Sequence, residues 1–171
     1  MNQIFDLLLF LLPIYISNSI PVVLGGGVPL DFGITLSDGE RLFGKGKTVR
    51  GFLAGIFGGS MFGGIVAIFY QLPFFSTPTI QFAAAFVLAF ATMFGDAFGS
   101  FLKRRLHMDS GRPFILDTVL FLLVSLIFVF PLASIGLYDV GNILFFLILT
   151  LILHPLTNML ANKAGLKNVP W

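Results

Sequence analysis

An all-α, polytopic membrane bundle of about five transmembrane helices is the fold class this sequence predicts, on three observations. Hydrophobic residues make up 57% of the 171, and mean hydropathy is +0.98, well outside the composition of a soluble domain. Five apolar runs, at about 4–24, 50–71, 80–102, 116–137 and 141–162, each approach the roughly 20 residues a helix needs to cross a bilayer. All ten Lys and Arg fall in three places. These are Arg41, Lys45, Lys47 and Arg50; then Lys103, Arg104, Arg105 and Arg112; then Lys163 and Lys167. The runs leave no space for a separate soluble domain, so 1–171 reads as a single integral-membrane domain. Their length and lack of alternation exclude transmembrane β-strands.

With five spans, the three basic clusters share one side and the opposite loops, about 72–79 and 137–140, carry only Asp139. The positive-inside rule then sets the N-terminus outside and the C-terminus in the cytoplasm. The expected localisation is the cell membrane, multi-pass, with the basic face cytoplasmic and open to anionic lipid heads or nucleotides. No cysteine is present, which excludes thiol catalysis, iron–sulfur ligation and disulfides.

The first run has Asp6 as its only charge and lacks a basic flank or a small-residue cleavage site, so it reads as a retained helix. Pro21 and the run Gly25-Gly26-Gly27 are expected to end or break it. The loop from Gly25 to Arg50 is longer than an ordinary connection and reads as functional or partly ordered. It closes in GKGKT, which is not a P-loop: Arg41 stands where the first glycine would be needed. Thr48 is a candidate N-cap for the second helix. Backbone amides with Lys45 and Lys47 suit a phosphate there, and capping alone is the competing reading. The second helix spaces Gly51, Gly55, Gly59 and Gly63 for close helix packing.

The third helix leads into GDAFGSFLKRRLHMDSGRPFILD, residues 95–117. Asp96, Ser100 and Lys103 are spaced i, i+4, i+7 and share a helix face. Asp117 opens the fourth helix and can return to the same level. Two carboxylates from adjacent helices at the membrane edge would hold a hard divalent cation with positions open for phosphate oxygens; an ion pair between Asp96 and a nearby Lys or Arg is the alternative. Intramembrane carboxylates are costly, which favours function. Lys103 is the member of its basic run that shares the face of Asp96. His107 reads as an interfacial surface residue. His154, Asn158 and Asn162 form a polar stripe that either bonds between helices or lines a substrate cavity.

GKTVRGF, then GDAFGSFLKRR and MDSGRPFILD, resemble the CTP-dependent phosphatidate cytidylyltransferases over nearly the whole chain. The short length and the ending HPLTNMLANKAGLKNVPW are similar to the archaeal branch, the CDP-archaeol synthases. The resemblance implies that Asp96 and Asp117 bind Mg²⁺ and that Lys47 and Lys103 act with them in catalysis. Lys45, Thr48, Ser100, Arg104, Asp109, Ser110 and Arg112 are the implied nucleotide contacts. Met108 departs from the Lys of bacterial members, and Leu120 stands where the pattern has a second Asp. The implied partners are CTP, an isoprenoid glycerol-phosphate lipid and the membrane, with no nucleic acid. The implied reaction is transfer of CMP to 2,3-di-O-geranylgeranylglyceryl phosphate. An ester-lipid acceptor and a small anion transporter are the alternatives. The CDP-alcohol phosphotransferases, whose pattern begins DGxxAR, fit less well: nothing matching follows Asp38-Gly39-Glu40-Arg41.

Overall fold

Apolar helices in lipid gain little from hiding apolar surface, so they associate through close packing and interhelical hydrogen bonds. Both are abundant here. A computed structural model describes residues 3–108, 112 and 115–167. The described residues form five α-helices and a short 3₁₀ turn: α1 (Gln3–Leu24), α2 (Val49–Phe69), α3 (Pro78–Arg105), α4 (Ile115–Val129), the turn Ile135–Tyr138, and α5 (Val140–Lys163). Four of them are long and apolar enough to cross a membrane; α4, at 15 residues, is shorter. The sequence predicts a fourth helix to residue 137, but Pro131 disfavours helix at Phe130, and the chain turns there. The 3₁₀ turn folds back so that Tyr138 donates its hydroxyl proton to Leu126 O at 2.6 Å.

α1 continues through both Pro13 and Pro21. Pro21 therefore does not end the helix; Gly25 follows it out, donating to Pro21 O at 2.9 Å, with Gly26 and Gly27 at positive φ. Proline removes the N–H that would reach back four residues, freeing the Ser17 carbonyl. The glycine face of α2 packs there. A Cβ built on Gly59 would lie 2.6 Å from Pro13 O, and one on Gly55 would lie 2.8 Å from Ser17 O. Only a missing side chain permits that approach. The reading of these glycines as a packing face holds.

α3 packs on α4 through Gly95, where a Cβ would lie 2.8 Å from the Phe121 Cα. Thr92 and Ser125 join the same two helices at 2.9 Å. Tyr15 and Thr150 tie α1 to α5 at 2.8 Å. The core is aromatic at its centre, with Phe10 stacked on Phe146 at 5.3 Å and edge-on to Phe74 at 6.1 Å. The outer face of α3 carries Phe82, Phe86, Phe90, Phe94 and Phe98 at four-residue spacing, all exposed, as a lipid-facing surface requires.

Cross-links define the two ends of the bundle. Tyr70 donates to Asp6 at 2.7 Å, Gln3 to Asn142 at 3.1 Å, and Ser134 N to Phe74 O at 2.8 Å. That end gathers the start of α1, the α2–α3 loop and the α4–α5 connection. The other end holds the 25–48 loop, the end of α3, the start of α4 and the end of α5. All three basic clusters are therefore on one face.

Candidate active site

The long loop is folded, and one buried aspartate folds it. Asp31 accepts from Gly33 N at 3.0 Å, Phe43 N at 3.1 Å, Gly44 N at 2.9 Å and Arg41 Nε at 3.2 Å, and pairs with a second Arg41 nitrogen. Burial alone would raise the Asp31 carboxyl, but the Arg41 guanidinium and the three amides outweigh it and hold the group well below the usual carboxylate range. Arg105, at the end of α3, clasps this loop from outside. It lies 3.2 Å from Asp38 and donates to Arg41 O at 2.9 Å, with its guanidinium 5.3 Å from the Phe101 ring centroid. His107 is largely exposed and sits 3.7 Å from Glu40, which agrees with its reading as a surface residue.

The loop delivers GKGKT to the mouth of the bundle. Thr48 caps α2 as expected, accepting from Gly51 N at 3.1 Å and also from Gly26 N at 3.2 Å. Lys47, beside it, reaches across to Asp96 on α3 at 2.5 Å. Lys103, two turns further along α3, donates to Asp117 on α4 at 2.7 Å and to Arg112 O at 2.7 Å. Asp117 lies in the first turn of α4, and its Oδ1 faces Gly99, where a Cβ would meet it at 3.4 Å. In this structure each of the two carboxylates is neutralised by one lysine.

A cavity of about 550 Å³ opens against the Lys47–Asp96 pair, within the usual range for small-molecule sites. α1 contributes Asn18, Pro21 and Val22. The loop and the start of α2 contribute Gly25, Gly26, Leu30 and Gly46 to Thr48, then Gly51 and Phe52. Met93, Asp96 and Ala97 come from α3, His154 and Asn158 from α5, and Leu166 and Lys167 from the segment after it. Among the predicted site residues Lys47, Thr48 and Asp96 line this cavity; Lys45, Ser100, Lys103, Arg104, Arg112 and Asp117 lie outside its lining. Lys45 and Arg112 are exposed. Asp109 and Ser110, like Gly111 and Pro113 of the same motif, fall outside the described residues. Of the α5 stripe, His154 and Asn158 line the cavity, while Asn162 donates to Lys167 O at 2.8 Å.

As a cation site, the two aspartates offer hard oxygen donors, each partly exposed and already matched to a positive charge. That chemistry suits a divalent ion that draws its remaining ligands from phosphate and water. Among the described residues no group of three or more His, Cys, Asp and Glu converges for a cage made by protein alone.

The family model of the CarS-like CDP-archaeol synthases matches residues 1–171. The chain belongs to this family. The CDP-archaeol synthase of Pyrococcus abyssi is 43% identical over 172 residues, covering 100% of both chains. That of Archaeoglobus fulgidus is 40% identical over 176 residues, covering 94% of each, and that of Methanococcus aeolicus 37% over 170 residues. A solved structure, of an intramembrane enzyme for archaeal membrane lipid biosynthesis, superposes with a TM-score of 0.74 at 35% identity, covering 89% of this chain and 92% of that one. With four long apolar helices, this member of the CDP-archaeol synthase family is a multi-pass membrane protein.

Several residues at the site were missed in the sequence. Asn18 stands between Ser17 and Ser19 in an otherwise apolar helix, and that polar run was the available signal. Asp31 and Lys167 gave none, because their importance depends on where a loop and a tail fold back.

Proposed function

We propose that the protein transfers CMP from CTP to an isoprenoid ether-lipid phosphate, 2,3-di-O-geranylgeranylglyceryl phosphate, and releases pyrophosphate. The observation that carries this reading is the Lys47–Asp96 pair at the mouth of a cavity sized for a small molecule, in a chain of this family. An oxygen of the lipid phosphate attacks the α-phosphorus of CTP, forming a new P–O bond as the bond to the β-phosphate oxygen breaks. Pyrophosphate carries away the displaced electron pair. The nucleophile is already an anion at neutral pH, so no general base is needed, and the work is positioning and charge neutralisation.

The chain's own residues fit those two tasks. The start of α2, with Lys47 beside its Thr48 cap, receives phosphate oxygens. Lys103, held by Asp117, adds a second positive charge on the α3 side. Asp96 and Asp117 would hold Mg²⁺, which supplies neutralisation of the triphosphate when bound. Lys47 and Lys103, which pair with these two aspartates, would donate to the phosphate oxygens. The positive-inside rule puts this face in the cytoplasm, where CTP is available.

The test is pyrophosphate release by purified protein in detergent with Mg²⁺ and CTP. One tube receives digeranylgeranylglyceryl phosphate and a parallel tube phosphatidic acid. Release with the ether lipid is expected. Release with phosphatidic acid alone would move the acceptor to ester lipids, and silence in both tubes from folded protein would sink the reading.

A further inference from the structure

The end of α5 turns a lysine back into the cavity. Gly165, at φ +72°, takes a left-handed conformation just past the helix. Its N–H donates to Asn162 O at 2.9 Å, and Leu166 N–H donates to Ala161 O at 2.9 Å. This pair of bonds reverses the chain at a helix terminus. Asn162 then holds the Lys167 carbonyl at 2.8 Å, and Lys167 Nζ donates to Asn158 Oδ1 at 2.9 Å. Asn158 Nδ2 lies 3.2 Å from His154 Nε2. His154, Asn158 and Lys167 share one cavity with Lys47 and Asp96.

Basic residues after a membrane helix ordinarily set topology and touch lipid heads. Lys163, in the last turn of α5, is exposed and suits that role. Lys167 is different: a turn, a backbone clamp and an amide acceptor all orient it inward. An amide oxygen fixes an ammonium without cancelling its charge. Burial and the Lys47 charge lower the Lys167 pKa, with Asp96 and Asp117 opposing them in part. Asp96, paired with Lys47, offsets part of the positive charge the two lysines bring to the cavity, and a phosphate would offset the rest.

We infer that Lys167 is a phosphate-contacting residue of this site, with Asn158 as its positioning residue. The inference rests on the proposed cytidylyl transfer. Its chemistry is an ammonium donating to phosphate oxygens, which belong either to CTP or to the acceptor lipid.

The experiment uses the full chain with Lys167→Gln, Lys167→Arg and Asn158→Ala. Michaelis constants are measured for CTP and for the ether-lipid phosphate separately, and pyrophosphate binding by calorimetry. K167Q is expected to raise KM for CTP about tenfold and to weaken pyrophosphate binding by a similar factor, the loss of one charge-assisted contact. K167R should recover most of both, and N158A should fall between. A shift confined to the acceptor's KM would assign the ammonium to the lipid phosphate instead and uphold the phosphate contact. Unchanged constants in K167Q, or equal losses in K167R and K167Q, would overturn the role while wild-type turnover kept the proposed function intact. Absence of turnover in folded wild-type protein would fail the function itself and this inference with it. If K167Q does not fold, the K167R and N158A constants still decide.

Discussion

Asp96 and Asp117 place carboxylates on otherwise apolar stretches of α3 and α4, each against a lysine. Asn at either position keeps the volume and removes the charge. Asp96→Asn and Asp117→Asn should each lower pyrophosphate release at least about a hundredfold. Their thermal unfolding in detergent should stay close to wild type. Substantial turnover in either variant would remove that residue from the site. Asp31 predicts something different, since its charge serves the loop. Its folded pKa is depressed, so its contribution is complete above the unfolded value of about 3.9 and is lost as pH falls toward the folded one. Hydrogen-exchange protection factors across 28–48 should hold at pH 5 and fall progressively below about pH 4. Asp31→Asn, which leaves Arg41 without its buried partner, should open the loop even at pH 7 by about 3 kcal/mol. An unchanged exchange profile would show that the loop does not depend on this carboxylate.

At the scale of elements, the α1–α2 contact is the most sensitive to added volume. Gly59→Ala places a methyl against Pro13 O and Ser17 Oγ, and should cost about 1–3 kcal/mol in unfolding assays. Gly141→Ala, whose new Cβ would meet only ordinary contact at 3.7 Å, should be neutral or slightly stabilising. Equal behaviour of the two would mean that the helices do not approach so closely. The glycine spacing was legible because period and residue size are local properties. The end of α4 was misread because hydropathy continues through Leu132 and Leu137, whereas Pro131 and the Tyr138–Leu126 bond decide the geometry. The N-cap at Thr48 and the first-turn position of Asp117 were equally readable. The pairing of Asp96 with Lys47 was readable only as an alternative. It depends on a loop of more than 20 residues whose course is set by Asp31, a buried residue that composition does not mark.

For the whole molecule, the hydrogen-bonded ends of the bundle put Arg41, Lys47, Lys103 and Lys163 on one face. The charge rule predicts that this face lies inside the cell. The absence of cysteine makes this simple to test with single introduced thiols and a membrane-impermeant maleimide. Ser76→Cys should react in intact cells, and Lys163→Cys only after permeabilisation. The reverse pattern would invert the protein and separate its site from the proposed nucleotide supply.

The two lysine–aspartate pairs carry a further consequence for how the resting molecule meets its surroundings. Each pair is already charge-balanced, so a visitor of one sign disturbs that balance. A solitary inorganic anion that draws Lys47 away leaves Asp96 bare, and a solitary metal ion that takes Asp96 leaves Lys47 stranded. A visitor bearing both signs suits both members of a pair, and on the proposed function a nucleotide arriving with its counter-ion would be such a visitor. On the proposed function, the arrangement would work as a coincidence detector, self-quenched among single ions and responsive to the matched combination.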